Sequence, residues 1–381
     1  MSEGVRQEHG GSTPSLVHDY LLVLRGAERT FAAIADLYPA APIFTLLYDE
    51  RGTSGRFADR EIHTSPLQRL GARQATFRRL LPLYPWAIER LELPPSDIVI
   101  SSSSAFAHGV RAPRGALHVC YCHAPFRYAW YEQDRALAEA PAALRPLLRA
   151  QLRRLRRWDV EASGRVDVYV ANSQLTRERI KHFYGREAEV VHPPVETHRF
   201  APGEAGGSLL VVSELVRHKQ VHVALEAARR AGAPIRVVGA GPDLASLQAA
   251  HPEAEFMGRV GDAELAAMYA SARALVMPST EEFGIVAVAA QAAGRPVLAA
   301  AAGGALETVL DGRTGCLLEP GSVDAFQHAI EALDALDFDP LQAVRNAERF
   351  SVPAFQRRLG ELVGRALPGS SAAPAGARVQ G

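Results

Sequence analysis

The feature that most constrains the fold is an alternation of short apolar runs with helical stretches. Each half of the chain contains one such series. Strands that alternate with helices in this way indicate parallel-sheet α/β architecture. We predict strands at residues 15–18, 43–47, 98–101, 118–121 and 168–171 in the first half, and at residues 209–213, 235–239, 254–257, 274–277, 296–299 and 315–318 in the second half.

Two α/β domains joined by a linker are the simplest interpretation of this pattern. A chain of 381 residues suggests two domains at roughly 150 residues each, and a segment rich in proline and glycine at residues 192–207 separates the two halves. We predict a disordered tail (1–14), an N-terminal domain (15–195), a C-terminal domain (196–350), a helix that packs back toward the N-terminal domain (351–367) and a second disordered tail (368–381).

Charge, hydropathy and cysteine content exclude several classes of protein. The 42 lysines and arginines balance 42 aspartates and glutamates, so no net charge attracts the chain to nucleic acid. The N-terminal residues lack the apolar segment of a signal peptide, and no apolar run approaches the roughly 18 residues of a membrane span. Three cysteines are too few for a disulfide framework, which favours the reducing cytoplasm.

The run from His118 to His123 contains Cys120 and Cys122, a composition that suggests zinc. We expect the two thiols to point to opposite faces of a strand, which disfavours a shared ion, and we predict no metal site. His123 itself follows the strand directly. It therefore lies at the carboxyl edge, where open α/β sheets bind ligands.

Residues 277–286 form a strand end, a turn and the start of a helix. The free backbone N–H groups at the start of a helix form an anion site, and Glu281, just ahead of it, can accept hydrogen bonds from sugar hydroxyls. The alternative is that Glu281 and Glu282 only cap the helix, because acidic residues favour the first turn.

Residues 211–219 form a similar crossing from strand to helix, with Ser213, Arg217 and Lys219. Lys219, one of only two lysines in the chain, can reach a diphosphate as a point charge. The alternative is an ordinary solvated first turn.

Two glycine-rich turns follow other strands of the second half. Gly239-Ala240-Gly241 begins like a dinucleotide-binding fingerprint, but Leu244 stands at the third glycine position, which disfavours an NAD-dependent oxidoreductase. We predict a tight turn that lets a ligand approach the backbone. Gly303 and Gly304, which precede Glu307, can bring backbone amides to a phosphate or sugar, or form a plain turn.

Two stretches, from Arg69 to Glu89 and from Leu144 to Trp158, interleave arginines with apolar residues. Such stretches can lie on anionic membrane surfaces. The alternative for each is a helix with one face on the core and its arginines in water.

Taken in order along the chain, these segments resemble the retaining GT-B-fold glycosyltransferases of the family 4, or glycosyl transferases group 1, type, which include bacterial mannosyltransferases. The resemblance lies in His18-Asp19-Tyr20, Arg25-Gly26-Ala27-Glu28, residues 98–104, residues 121–130, Val170-Ala171-Asn172-Ser173, residues 211–219, residues 256–260 and Glu281-Glu282-Phe283-Gly284. It implies two Rossmann-like domains that face each other across a cleft, the first binding an acceptor and the second a nucleotide diphosphate sugar.

The activity that the resemblance implies is metal-independent transfer of a hexose with retention, without a cofactor. Mannose from GDP-mannose is favoured as the donor, and the acceptor is a lipid-linked or polysaccharide glycan of the cell envelope. The protein is expected in the cytoplasm, in contact with the inner face of the membrane.

The resemblance also implies roles for residues of this sequence. His123, Lys219 and Glu281 are the catalytic positions: His123 faces the donor sugar, and Lys219 stabilises the departing diphosphate. The implied donor-binding positions are Arg25 and Gly26 in a loop over the diphosphate, Arg259 and Val260 at the base, Phe283, Gly284 and Ile285 on the sugar and phosphate, and Ser213, Arg217, Gly239 and Gly241.

Two positions depart from the family pattern. Glu214 stands where many relatives carry arginine, and Ala289 stands where the family has a second glutamate that holds ribose hydroxyls. Loss of a charged hydrogen-bond partner costs roughly 1.5–3 kcal/mol, or about ten- to a hundredfold in affinity. These departures leave a second interpretation open, a catalytically weak or silent sugar-nucleotide-binding or scaffold protein.

Overall fold

The structure of the protein, a computed structural model, describes residues 13–71 and 76–367 without the side chain of Arg78. The predicted tails at residues 1–14 and 368–381 therefore lie outside the described residues, apart from Thr13 and Pro14. The described residues belong to two units. The first contains those within Met1–Asn172, Thr176–Val190 and Arg358–Gly381, and the second contains Ser173–Leu175 and Val191–Arg357.

The first unit is built on a seven-stranded sheet in which every neighbouring pair of strands is parallel. The strands are β1 (Ser15–His18), β2 (Ile43–Thr45), β3 (Ile62–Thr64), β4 (Ile98–Ser103), β5 (Leu117–Cys122), β6 (Val168–Ala171) and β7 (Ala188–Val190). Their order in the sheet is β3-β2-β1-β4-β5-β6-β7. The inner strands are buried along their whole length, as expected of a parallel sheet covered on both faces.

Helices cover this sheet. They are α1 (Gly26–Leu37), α2 (Tyr84–Ile88), α3 (Gln133–Glu139), α4 (Arg145–Ser163) and α5 (Gln174–Tyr184), with short 3-10 helices at Pro66–Leu70, Phe77–Leu83, Ala107–Gly109 and Ala142–Leu144. In α4, Leu152 and Leu155 are buried, so one face of this helix lies on the core, as the apolar spacing predicts.

The second unit contains a six-stranded parallel sheet. Its strands are β8 (Leu209–Val212), β9 (Ile235–Val238), β10 (Glu255–Gly258), β11 (Leu275–Met277), β12 (Val297–Ala300) and β13 (Gly315–Leu318). They are arranged in the order β10-β9-β8-β11-β12-β13. Its helices are α6 (Val221–Arg230), α7 (Leu244–Ala250), α8 (Asp262–Ser271), α9 (Ile285–Ala292), α10 (Ala305–Thr308), α11 (Val323–Glu331), α12 (Pro340–Glu348) and α13 (Val352–Ala366), whose part from Arg358 on belongs to the first unit.

Both sheets reverse their strand order at one point. In the first unit the reversal lies between β1 and β4, and in the second between β8 and β11. The chain leaves two such neighbouring strands toward opposite faces, and a crevice opens beyond their carboxyl ends, where open α/β sheets bind ligands. The strand order therefore marks one candidate site in each unit.

All eleven predicted strands are present, with ends that differ by at most two residues. Two further strands, β3 and β7, were not predicted. Both are three-residue edge strands whose central residue is polar and exposed, so they lack the apolar run that indicates a strand.

The predicted orientation of Cys120 and Cys122 is wrong. Residues two apart on a strand share a face, and both thiols pack in one apolar cluster with Tyr169 and Ile180. Burial raises the pKa of the Cys120 thiol to about 12, which disfavours the thiolate that a metal requires. Throughout the described ranges, no group of three or more His, Cys, Asp or Glu side chains is placed to hold a metal ion.

The basic stretch from Arg69 to Glu89 is not one amphipathic helix. Its described residues include the end of one 3-10 helix, the whole of a second and the short α2, and Pro82 lies inside the second 3-10 helix. Residues 72–75 of this stretch, with Arg73, lie outside the described residues. Among the helices that the structure describes, none is both long enough and apolar enough to cross a bilayer.

Candidate functional site

Lys219 and Glu281 lie in direct contact at the reversal point of the second sheet. The Nζ atom of Lys219 is 2.8 Å from Oε1 and 2.6 Å from Oε2 of Glu281. Ser279 donates a hydrogen bond of 2.6 Å to Oε1 of the same carboxylate. The two charged side chains are only 20% and 18% exposed. Lys219 is thus not a solvated first-turn residue, and Glu281 pairs with it instead of capping α9.

The local chain path explains this contact. Lys219 ends a 3-10 turn, Arg217–Lys219, that follows β8, and Glu281 lies four residues beyond the end of β11. Because β8 and β11 are neighbours in the sheet, the two segments leave it side by side. A cation and an anion from distant parts of the sequence therefore meet at one edge of the sheet.

The turn after Glu281 is held by the glycine pair at residues 303 and 304. The backbone N–H of Gly304 donates to the carbonyl oxygen of Glu281 at 2.8 Å. A Cβ atom at position 304 would overlap the backbone of Phe283, so only glycine allows this approach. Gly284, with a φ of 84°, directly precedes α9. The N–H groups at the start of this helix have no helical partners.

Six other predicted donor-binding residues of the second unit lie in the turns after β8, β9 and β10. Gly239 and Gly241 lie against the backbone of residues 213–215, where a Cβ atom at either position would overlap a carbonyl group. The need for glycine at both positions follows from this packing of one turn against the other, and the donor-binding role of the two residues stays a prediction. Arg217 and Arg259 are exposed after β8 and β10, and Ser213 and Val260 are partly buried.

The two departures from the family pattern have different environments. Glu214 is exposed, so water solvates its carboxylate. Ala289 is only 4% exposed and packs in an apolar cluster that includes Leu210 and Met277. Alanine at position 289 thus forms part of the core of the second unit.

His123 directly follows β5 in the first unit, and its ring contacts residues of β1 and β4, the two strands that flank the reversal point. Its Nε2 atom is 2.8 Å from the hydroxyl of Ser102, and its ring meets that of His18 edge-on at 6.4 Å. Burial lowers the pKa of His123 to about 4, and burial together with the charge of His123 lowers the pKa of His18 to about 3. Both imidazoles are therefore neutral at physiological pH.

Asp19 is a residue of this region that the predicted site set did not include. Its buried carboxylate accepts four backbone N–H groups, from Ser104 (2.6 Å), Ala105 (3.1 Å), Phe106 (2.7 Å) and Ala107 (2.6 Å). Burial raises the pKa of Asp19, although these hydrogen bonds favour the charged form. The available sequence signal was an aspartate directly after the predicted strand at residues 15–18.

Arg25 and Gly26, the other predicted donor-binding residues of the first unit, form the start of α1. Arg25 is exposed, and its backbone N–H donates to Glu28 at 3.0 Å in a capping box. This arrangement fixes the entry of the chain into α1 and leaves the Arg25 guanidinium in solvent.

Two family models match the chain. The model described as Glycosyltransferase Family 4 matches residues 24–199, and the model described as Glycosyl transferases group 1 matches residues 206–335. Together the two matches cover well over half of the sequence.

Similar curated proteins include the GDP-mannose-dependent alpha-(1-6)-phosphatidylinositol monomannoside mannosyltransferases of Mycolicibacterium smegmatis and Mycobacterium tuberculosis. The first is 32% identical over 52% of this chain and 58% of its own length, and the second is 33% identical over 55% and 61%. A D-inositol 3-phosphate glycosyltransferase of Streptomyces bingchenggensis is 33% identical over 49% of this chain and 50% of its own. The matched segments thus span about three fifths or less of these relatives.

Solved structures with the same fold include the Anabaena protein HepE in complex with UDP, with a TM-score of 0.66 at 18% identity over 92% of this chain and 99% of that one. Sucrose-phosphate synthase from Thermosynechococcus elongatus has a TM-score of 0.68 at 17% identity over 92% and 98%. At such identities the likeness establishes the fold.

Proposed function

Because the chain belongs to the GT-B glycosyltransferases of the family 4, or group 1, type, we propose that it transfers a hexose from a nucleotide diphosphate sugar to a glycan or glycolipid acceptor. Mannose from GDP-mannose is the favoured donor, since the mycobacterial relatives carry GDP-mannose dependence in their names. The acceptor is a lipid-linked or polysaccharide glycan of the cell envelope, and transfer takes place in the cytoplasm with retention and without a metal or other cofactor.

The observation that carries this proposal is the contact between Lys219 and Glu281 at the reversal point of the second sheet. A primary ammonium group held in a partly buried crevice stabilises negative charge on a departing diphosphate, because such a preorganised charge needs little reorganisation. Glu281 offers two oxygens to sugar hydroxyls once the ammonium group turns to the phosphates. The backbone of Phe283, Gly284 and Ile285 supplies N–H groups to the same anion.

Isothermal titration calorimetry of the full chain with GDP, UDP, GDP-mannose and UDP-glucose tests the proposal. We expect GDP and GDP-mannose to bind, and Lys219→Met to weaken that binding about ten- to a hundredfold, because a charged partner of the diphosphate is lost. The matched control is Lys181→Met, which removes the other lysine of the chain, an exposed residue paired with Glu187. If the wild-type protein binds none of the four ligands, the proposed function is wrong.

A second candidate function, a weak or silent sugar-nucleotide-binding protein, is favoured by Ala289 and Glu214. Ala289→Glu distinguishes the two functions, because it restores the carboxylate that the family pattern places there. A large rise in sugar transfer or donor hydrolysis identifies a weakened enzyme. Nucleotide binding without turnover in either form supports the silent protein. Circular dichroism must accompany the assay, since position 289 is buried and a buried charge destabilises the fold.

For contact with the inner face of the membrane, we propose α4 as the contact surface rather than the stretch from Arg69 to Glu89. Leu144, which directly precedes α4, is 53% exposed, and Leu147 in the first turn of α4 is 70% exposed. The exposed arginines that follow are Arg149, Arg153, Arg154 and Arg157. Exposed leucines beside arginines fit a bilayer with anionic headgroups, in which the apolar side chains insert and the guanidinium groups meet phosphates.

Co-sedimentation with vesicles that contain or lack phosphatidylglycerol tests this surface. We expect binding that requires the anionic lipid, weakens with salt and is lost in Leu147→Glu. Leu341→Glu is the matched control, because Leu341 on α12 is 63% exposed and the substitution changes the net charge equally. Binding that is indifferent to lipid charge, or equally weakened by both substitutions, would exclude α4 as the contact surface.

A further inference from the structure

A histidine–glutamate pair of the second unit, His192 with Glu307, lies near the contact between Lys219 and Glu281. The Nε2 atom of His192 is 2.8 Å from Oε2 of Glu307, and the side chains are 17% and 12% exposed. His192 belongs to the segment that follows β7. Glu307 lies on α10, directly after the turn formed by Gly303 and Gly304.

His192 also packs against the turn that follows Glu281. Its ring lies 5.4 Å from the ring of Phe283, at an angle of 30°, and 5.2 Å from the ring of Phe350. Phe283 is only 4% exposed, so its ring is fixed by these neighbours. The backbone of Phe283, by contrast, is part of the turn that leads into α9.

The two turns that His192 contacts are themselves in contact. Glu281 and Gly303 form an isolated parallel bridge, and the backbone N–H of Glu307 donates to the carbonyl oxygen of Gly304 at 3.0 Å. His192 therefore holds one turn through a hydrogen bond and the other through ring packing. A shift of either turn would move Glu281 relative to the start of α9.

We propose that His192 is a positioning residue for the nucleotide diphosphate sugar, acting through Glu307 and Phe283 on the Glu281 carboxylate and the backbone of residues 283–285. This inference rests on the proposed function. Packing alone does not require histidine here, because the buried Nδ1 atom of His192 has no hydrogen-bond partner and phenylalanine would fill the space without an unpartnered nitrogen. The feature that histidine adds is the hydrogen bond from Nε2 to Glu307.

Three substitutions separate that hydrogen bond from the packing. His192→Phe keeps a ring and removes the bond. His192→Gln can place an amide N–H near the position of Nε2, whereas the shorter side chain of His192→Asn cannot. We expect calorimetry with GDP to give a dissociation constant raised about tenfold in His192→Phe and His192→Asn, and within about threefold of wild type in His192→Gln.

The matched control is His251→Phe, which breaks a histidine–glutamate pair of the same unit, with Glu253, at 3.4 Å. We expect this control to bind GDP as the wild type does. Equal GDP affinity in the wild type and in all three His192 variants would overturn the inference and leave the proposed function standing, and so would a loss of affinity that only follows a lower melting temperature. Absence of any nucleotide binding by the wild type would instead overturn the proposed function, and the inference with it.

Discussion

At the residue scale, the first unit depends on Asp19, whose carboxylate is the acceptor for four consecutive backbone N–H groups at residues 104–107. We expect Asp19→Asn to lower the free energy of unfolding of this unit by about 3 kcal/mol, because an amide NH2 group would face donors and leave them unsatisfied in a buried place. Urea unfolding followed by tryptophan emission measures this loss selectively. The three tryptophans of the chain, Trp86, Trp130 and Trp158, all lie in the first unit.

Asp59→Asn is the control for the Asp19 substitution. Asp59 is an exposed aspartate of the same unit, and exposed substitutions usually change stability by less than about 0.5 kcal/mol. If Asp19→Asn is as mild as this control, the four N–H groups must find other partners, and the carboxylate does not organise the segment after β4.

The burial of His123 makes the free energy of unfolding of the first unit depend on pH, and the pKa shift fixes the sign of this dependence. Burial lowers the pKa of His123 from its ordinary value of 6.5 to about 4. Between these two values the unfolded chain binds a proton that the folded chain does not. The free energy of unfolding therefore falls as the pH is lowered through this window, and His123 imposes no such penalty above pH 6.5.

Comparison with His123→Gln isolates this contribution from those of the other buried groups. Within the window, the unfolding free energy of the wild type should fall more steeply with decreasing pH, by up to about 1.4 kcal/mol per pH unit. Tryptophan emission in urea at a series of pH values provides the slopes. Equal slopes in the two proteins would mean that folded His123 takes up its proton near the ordinary pKa.

Residue types and spacing predicted Lys219 and Glu281, since each is a charged residue in a turn that leads from a predicted strand to a helical stretch. The contact between them was not visible, because it depends on which strands are neighbours in the sheet. The same limit explains why Asp19 was not selected. Its four partners lie 85 to 88 residues away, and backbone N–H groups carry no sequence signal.

At the element scale, the start of α6 contains a strained residue. Gln220, which precedes the helix directly after Lys219, has φ of 51° and ψ of 32°, a left-handed conformation that costs a residue with a Cβ atom about 1–2 kcal/mol. Its Oε1 atom is also buried without a hydrogen-bond partner. We expect Gln220→Gly to raise the free energy of unfolding of the second unit by about 1 kcal/mol. This is a net value, because the entropy that glycine adds to the unfolded chain offsets part of the relieved strain. Hydrogen exchange of the β8–β12 amides measures this gain.

Gln220→Ala separates the two causes of the expected gain. Alanine removes the unpartnered amide oxygen and keeps the Cβ atom, so it should stabilise the unit less than glycine does. A gain from alanine that equals the gain from glycine would assign the whole effect to the buried oxygen and none to backbone strain.

The elements that the sequence predicted best are those with continuous apolar runs in the middle of a sheet. The strands β3 and β7 lie at the edges of the first sheet, where exposure of the central residue removes the pattern. The stretch from Arg69 to Glu89 shows the opposite error, because its apolar spacing suggests one helix, although Pro82 and the 3-10 turns divide it. Apolar spacing thus predicts a strand reliably where both faces of the strand are buried. It predicts secondary structure poorly at sheet edges and in stretches divided by proline.

At the scale of the whole molecule, both units use the same strand order around their reversal points. His123 lies beside the reversal point of the first unit, and Lys219 and Glu281 lie at that of the second. The alternation of strands and helices predicted this duplicated architecture. Strand order was not contained in that alternation, because neighbouring strands such as β8 and β11 are separated by two other strands in the sequence. The fold class could therefore be predicted from the alternation of strands and helices. Which residues meet in each site could be learned only from the order of the strands in the sheet.

The last helix, α13, contributes to the stability of the first unit although it lies near the end of the sequence. Its second half, from Arg358, belongs to the first unit, and Leu359 there is completely buried. We expect Leu359→Ala to lower the unfolding free energy reported by tryptophan emission by about 3 kcal/mol, through lost burial and the cavity left behind. Leu341→Ala, at a position that is 63% exposed, should leave that transition unchanged. An unchanged tryptophan transition in Leu359→Ala would show that the first unit is stable without this contact, because all three tryptophans report on that unit alone.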